Sequence, residues 1–164
     1  MARSGSRWAY ADVYSRLVHI YREGAVRMAD LSAKRDVVRT AVAVGRLQTT
    51  AQVVSLVRAD NLPKADVLST ARIAGIAGAK DASRLIPLCH WLPLAAVSVD
   101  FGFTDTDITI RTSVRNIGST GVEMEALTAA AIAGMALHDM VKAVDPSATL
   151  DGVRVIEKDG REFG

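Results

Sequence analysis

Between Thr120 and Val144 the chain reads as one helix that is charged only toward its ends. Glu123 and Glu125 stand near its start, Asp139 and Lys142 near its finish, and Ala, Gly, Ile, Leu and Met fill almost everything between. The apolar run from Ala126 to Leu137 is too short to cross a bilayer. Such a rod calls for a second layer to pack on. Charges that bracket it point to a site at each end and not to a solvated face. Asp145-Pro146 stops the helix.

The second layer is legible upstream. Val97, Val99, Phe101 and Phe103 alternate with Ser98, Asp100 and Gly102, and Ile108, Ile110 and Thr112 resume the period after a turn at Thr104 to Asp107. That pattern predicts a hairpin with one buried face. Val37 to Leu47, rich in β-branched residues and Arg, reads as a further strand in preference to a short helix, and Val153, Val155 and Glu157 as a last short strand. A helix over Thr50 to Val57 breaks at Asn61-Leu62-Pro63. A longer one over Lys64 to Leu85 presents a small-residue face of Val67, Ala71, Ala74, Ile76 and Ala79. Helices on an antiparallel sheet make an α+β domain, expected over residues 15–164. Residues 1–14 read as a tail, ordered only where a partner covers it.

Charge and cysteine content narrow the function. Twenty basic and 18 acidic residues leave a net charge of +2, which disfavours a nucleic-acid binder. Cys89 is the sole cysteine, so no intrachain disulfide forms and a zinc site has a poor start. Arg3 and Arg7 are followed by no apolar run. A soluble cytoplasmic protein is expected, with no membrane partner.

Asp139 and Lys142 are three apart and share a helix face, which makes them a candidate proton-transfer pair. Glu125 and Asp139 fall on nearly the same side but about 21 Å apart along the axis. If both act on one small ligand, two copies of the helix must pack antiparallel through its Ala/Gly surface, and the site lies on a two-fold interface. Glu123 and Glu125 equally suit a helix start through its dipole. Ile86 to Leu94 is a stiff apolar loop in which two prolines bracket Cys89 and His90. Cys89 there reads as a small buried hydrophobe before it reads as a nucleophile. Arg39, Lys64, Arg72, Lys142, Arg154, Lys158 and Arg161 lie near element ends, where such a set suits a polyphosphate.

Five runs together carry a resemblance. They are Met28 to Lys34, Lys64 to Ile76, Leu85 to His90, Thr120-Gly121-Val122-Glu123-Met124-Glu125-Ala126-Leu127-Thr128, and Asp139-Met140-Val141-Lys142-Ala143-Val144. In this order, from about Leu17 to Lys158, the chain resembles the molybdenum-cofactor biosynthesis protein C family, the cyclic pyranopterin monophosphate synthases. The resemblance implies a ferredoxin-like α+β subunit in a hexamer of three dimers, with sites at the dimer interface. It implies conversion of (8S)-3′,8-cyclo-7,8-dihydroguanosine 5′-triphosphate to cyclic pyranopterin monophosphate, with diphosphate released and no cofactor or metal. By the same resemblance Asp139 is the general acid/base with Lys142 beside it. Lys64 and Lys158 match the other functional lysines. Leu88, Cys89, His90, Met124 and Glu125 match substrate-contacting positions, and Glu123 lies in the same acidic motif.

Lysines and Arg39 are expected to hold the triphosphate, with Lys64 and Lys158 as the neighbours that lower the pKa of Lys142. Some positions depart from the family pattern. Trp91 stands for a usual Pro, Ala65 for Gly, Ser119 for a basic residue, and His138 and Val141 for Tyr and Cys. The usual tail Lys-Ser-Gly-Gly-Lys-Ser-Gly appears as Lys158-Asp159-Gly160-Arg161-Glu162-Phe163-Gly164. Fewer cations and the carboxylate of Glu162 are expected to weaken phosphate attraction if the tail lines the site. The alternative reading is a non-catalytic paralogue that binds a guanine nucleotide or modulates an active relative.

Overall fold

In a computed structural model, which describes residues 26–64 and 66–162, strand β1 (Val37–Gln48) leads into helices α1 (Ala51–Arg58) and α2 (Val67–Leu85). A hairpin of β2 (Ala96–Phe103) and β3 (Asp107–Gly118) follows, then α3 (Glu123–Val141), β4 (Thr149–Lys158) and the short β5 (Arg161–Glu162). The strands form one antiparallel sheet in the order β2-β3-β1-β4-β5. β3 lies between β1 and β2, and β1 between β3 and β4, so two split βαβ units interleave. This is the ferredoxin-like arrangement the resemblance implied. The tail expected over residues 1–14 lies outside the described residues.

The alternation read in the sequence is the alternation of burial. Ile108, Ile110, Thr112 and Val114 of β3 and Ala41, Ala43 and Leu47 of β1 are fully buried toward the helices. Thr112 keeps its place there because its hydroxyl donates to the Ala126 carbonyl of α3 at 2.8 Å. α1 starts where expected, with Thr50 Oγ1 accepting from Val53 N at 3.3 Å.

Two helix boundaries differ from expectation. α2 begins at Val67 and not at Lys64, because Asp66 is in the left-handed region (φ 56) and cannot continue a helix. Asp60 is left-handed as well (φ 51), so the short loop carrying Lys64 is turned sharply before and after that residue. The buried stripe of α2 is Val67, Ala71, Gly75, Gly78, Ala79 and Ala82; Ala74 and Ile76 are only half-buried. α3 spans Glu123–Val141, with Lys142 as its C-cap and a turn over the last residues to Val144.

The Ala/Gly surface of α3 was expected to receive a second copy of the same helix. The structure overturns that. Ala126, Ala129, Ala130, Ala133 and Leu137 are wholly buried within the protomer, against α2 and the sheet. A Cβ at Gly75 would come within 3.0 Å of the Ala129 carbonyl oxygen, and one at Gly134 would overlap Leu150 of β4. The small residues bring α3 close to its own neighbours. The side of α3 left outward carries Met124, Met135 and Asp139.

Candidate active site

At the C-terminal end of α3 the Asp139 carboxylate lies between two ammonium groups. Lys142 Nζ is 2.7 Å from Oδ1, and Lys64 Nζ donates to Oδ2 at 2.9 Å and to the Asp139 carbonyl at 3.1 Å. A carboxylate in the last turn of a helix meets the negative end of the dipole, so two cations at this spot offset an unfavourable placement. Hydrogen bonding from Lys142, then from Lys64, holds the Asp139 pKa down at about 2. All three side chains are about half exposed, open to an incoming ligand.

The other end of α3 borders a half-open pocket. A cavity of about 240 Å3 is lined by Ala29, Leu31 and Lys34 from the N-terminal segment, by Leu88, Cys89, His90 and Leu92 from the proline-bracketed loop, and by residues 120–121 and 123–125. His90 Nε2 donates to the Ala29 carbonyl at 2.8 Å, which ties the two loops together and places the ring proton on Nε2. Glu125 is 3% exposed, and burial pushes its pKa upward. Cys89 Sγ donates to Glu125 Oε1 at 3.5 Å. Burial, then the Glu125 charge, pushes the thiol pKa up to about 11, so Cys89 stays protonated at neutral pH. It is a weak donor to Glu125 and not a nucleophile. Glu123 forms an ion pair with Lys158 of β4. Gly121 makes room for it, since a Cβ there would overlap the Glu123 carboxylate.

The structure therefore sorts the sequence-named residues into two groups. Lys64, Asp139 and Lys142 share one end of α3; Leu88, Cys89, His90, Glu123, Met124, Glu125 and Lys158 share the other. Sixteen residues separate Glu123 from Asp139, about 24 Å along a helix. Lys158 is thus no neighbour of Lys142 within one protomer, where the Asp139 carboxylate lies 2.7 Å from the Lys142 ammonium. Arg39 lies near Lys158 and is held by Asp159, NH1 to Oδ2 at 3.1 Å.

Other expected cations lie elsewhere. Arg72 Nε donates to the Val99 carbonyl at 2.9 Å and its guanidinium covers the Phe101 ring, so it fastens α2 to β2. Arg154 bonds the Gly152 carbonyl at 3.3 Å, and Arg161 belongs to β5. Lys34 was not foreseen as a pocket residue. Its only signal was membership of the Met28 to Lys34 run, because a loop residue has no periodicity to give it away.

Fold and site together define an α+β protein with a carboxylate–lysine cluster and a half-open pocket at opposite ends of one helix. Residues 28–161 match the MoaC family, and the chain belongs to that family. Its relatives agree. It is 49% identical to cyclic pyranopterin monophosphate synthase 2 of Mycobacterium bovis over 164 residues, covering 100% of this chain and 97% of that protein. It is 48% identical to the cyclic pyranopterin monophosphate synthase of Corynebacterium efficiens, covering 92% and 97%. The synthase of the same name in Streptomyces coelicolor is 48% identical, covering 93% and 90%.

Proposed function

We propose that the chain is a cyclic pyranopterin monophosphate synthase of molybdenum cofactor biosynthesis. It turns (8S)-3′,8-cyclo-7,8-dihydroguanosine 5′-triphosphate into cyclic pyranopterin monophosphate and releases diphosphate. The observation that carries this reading is the Asp139 carboxylate held at 2.9 and 2.7 Å by Lys64 and Lys142, in a chain of the MoaC family. Among the described residues no helix is long and apolar enough to cross a membrane, and a reducing cytoplasm suits the lone Cys89 thiol.

Asp139 at rest is a poor base, since two ammonium groups stabilise its charge. A triphosphate draws Lys64 toward itself. As Lys64 turns to a phosphate oxygen, Asp139 loses one of its two partners and gains basicity where a proton must leave. Lys142, three residues on, is the matching donor. The pair moves protons while the purine-derived five-membered ring opens and the pyranopterin closes. Lysines and Arg39 neutralise the phosphates and align the sugar hydroxyl on the α-phosphorus, so that diphosphate departs.

One ligand spans both groups only if two protomers contribute opposite ends of α3. Met124, Met135 and Ile73 remain exposed on the helical side, apolar surface that suits a partner of the same kind. A dimer, three of which make a hexamer, is the assembly this reading carries. Incubating the purified protein with the cyclised nucleotide and following diphosphate and pterin tests the activity; nucleotide turned over to neither product sinks it.

A further inference from the structure

Arg39 and Asp159 are 120 residues apart and meet where β1 runs beside the end of β4. The guanidinium is committed on two sides. NH1 donates to Asp159 Oδ2 at 3.1 Å, while Nε is buried with no hydrogen-bond partner among the described residues. A phosphate grips a guanidinium best through two parallel N–H bonds from one edge. With NH1 engaged and Nε enclosed, neither edge offers a free pair.

Asp159 is itself pinned. Its N–H donates to the Thr40 carbonyl at 2.9 Å, and its Oδ1 accepts from Thr40 N at 3.0 Å. Its backbone is left-handed, with φ 48. The Thr40 bond first, and then Arg39, hold its pKa below the ordinary value, so the group is charged at neutral pH. Only the Oδ2 contact has to break to free NH1; the Oδ1 anchor can stay. The pair is about a third exposed, within reach of a ligand anion.

We propose that Asp159 is an internal competitor for the substrate's phosphate, a tethered carboxylate that occupies Arg39 and yields when a phosphate takes the NH1/NH2 edge. The inference rests on the proposed role of Arg39 in holding the triphosphate. Glu162, the carboxylate that the sequence pointed to, lies instead opposite Glu157 in the β4–β5 pairing. Asp159 sets affinity and not rate: it raises KM and leaves the chemical step alone, because it touches neither Asp139 nor Lys142.

The test uses Asp159→Asn, which keeps an oxygen for Thr40 N and tolerates the left-handed backbone, and Asp159→Gly, which removes the side chain without strain. Wild type and both variants are titrated calorimetrically with inorganic tripolyphosphate at low salt. Both variants should bind about fivefold tighter, the scale of an exposed ion pair. KM for the cyclised nucleotide should fall by a similar factor at unchanged kcat. Adding Arg39→Ala to Asp159→Asn should erase the gain. Equal or weaker tripolyphosphate binding by Asp159→Asn overturns the proposal, as does a gain that survives Arg39→Ala. A chain that yields no product from the nucleotide counts against the activity instead, and the tripolyphosphate titrations still decide the role of Asp159.

Discussion

The two ends of α3 hold carboxylates in opposite conditions. Asp139 is half exposed and flanked by two lysines, and its pKa is held down at about 2. Glu125 is enclosed beside a thiol, and burial pushes its pKa up. One helix thus carries a charge that neighbours favour and a charge that the interior resists. The lesson concerns division of labour. Exposed cations can exchange a carboxylate for a phosphate quickly, as the proposed chemistry needs. An enclosed glutamate with a neutral donor beside it is better suited to orienting a ligand by hydrogen bonds.

Removing Lys142 tests that division most severely. Lys142→Ala should lower kcat by about a thousandfold, the scale of a lost proton-transfer group, while nucleotide affinity changes by only a few fold. Rapid-quench measurement of diphosphate alongside calorimetry separates the two effects. Full turnover in that variant would move the chemistry away from this end of the helix.

The contrast also depends on a rod that keeps its ends in place. A Cβ at Gly75 would already stand 3.0 Å from the Ala129 carbonyl and from the Val99 side chain. Gly75→Leu should therefore cost about 1–3 kcal/mol, read from denaturant unfolding. Unchanged stability would mean that α2 and α3 are looser than their geometry implies.

Glu125→Gln probes the pocket end with a smaller effect. Because the folded pKa of Glu125 lies above its unfolded 4.5, the folded state retains the proton longer. Its contribution is fully present below 4.5 and is lost as pH rises through the raised value. The neutral glutamine escapes that loss. It should raise Tm at pH 8 by roughly 2–4 °C, with the difference vanishing near pH 4. Equal melting temperatures across that range would contradict the picture of a charge resisted by its surroundings.

The smallest effect belongs to the exposed end. Lys64→Ala should let the Asp139 pKa rise from about 2 toward its ordinary 3.8, seen by carboxyl-carbon NMR titration. The stability that Asp139 contributes is present above 3.8 and lost as pH falls toward 2, so the variant, with less of it to lose, should lose stability slightly less steeply with acid.

How much of this could be read in advance follows from distance along the chain. The β2–β3 hairpin, α1 and the body of α3 were legible because alternation and helical spacing are local signals, whereas β1, buried at three successive residues, Ala41 to Ala43, showed only its β-branched content. Asp139 and Lys142 were legible together because three residues on a helix always share a face. The start of α2 was misjudged because a left-handed Asp66 leaves no mark in composition. The small-residue surface of α3 was recognised as a packing surface, yet nothing local could say whether its partner was α2 or another copy of the chain.

What the amino-acid order alone determined was most of the elements, the shared helix face of Asp139 and Lys142, and, through its five matching runs, the family. What only the tertiary structure decided was company. It set Lys64 against Asp139 across 75 residues, Cys89 against Glu125 across 36, and Asp159 against Arg39 across 120. Periodicity reports which way a side chain faces within its own element; a partner on another element is chosen only when the sheet and helices close around a shared core.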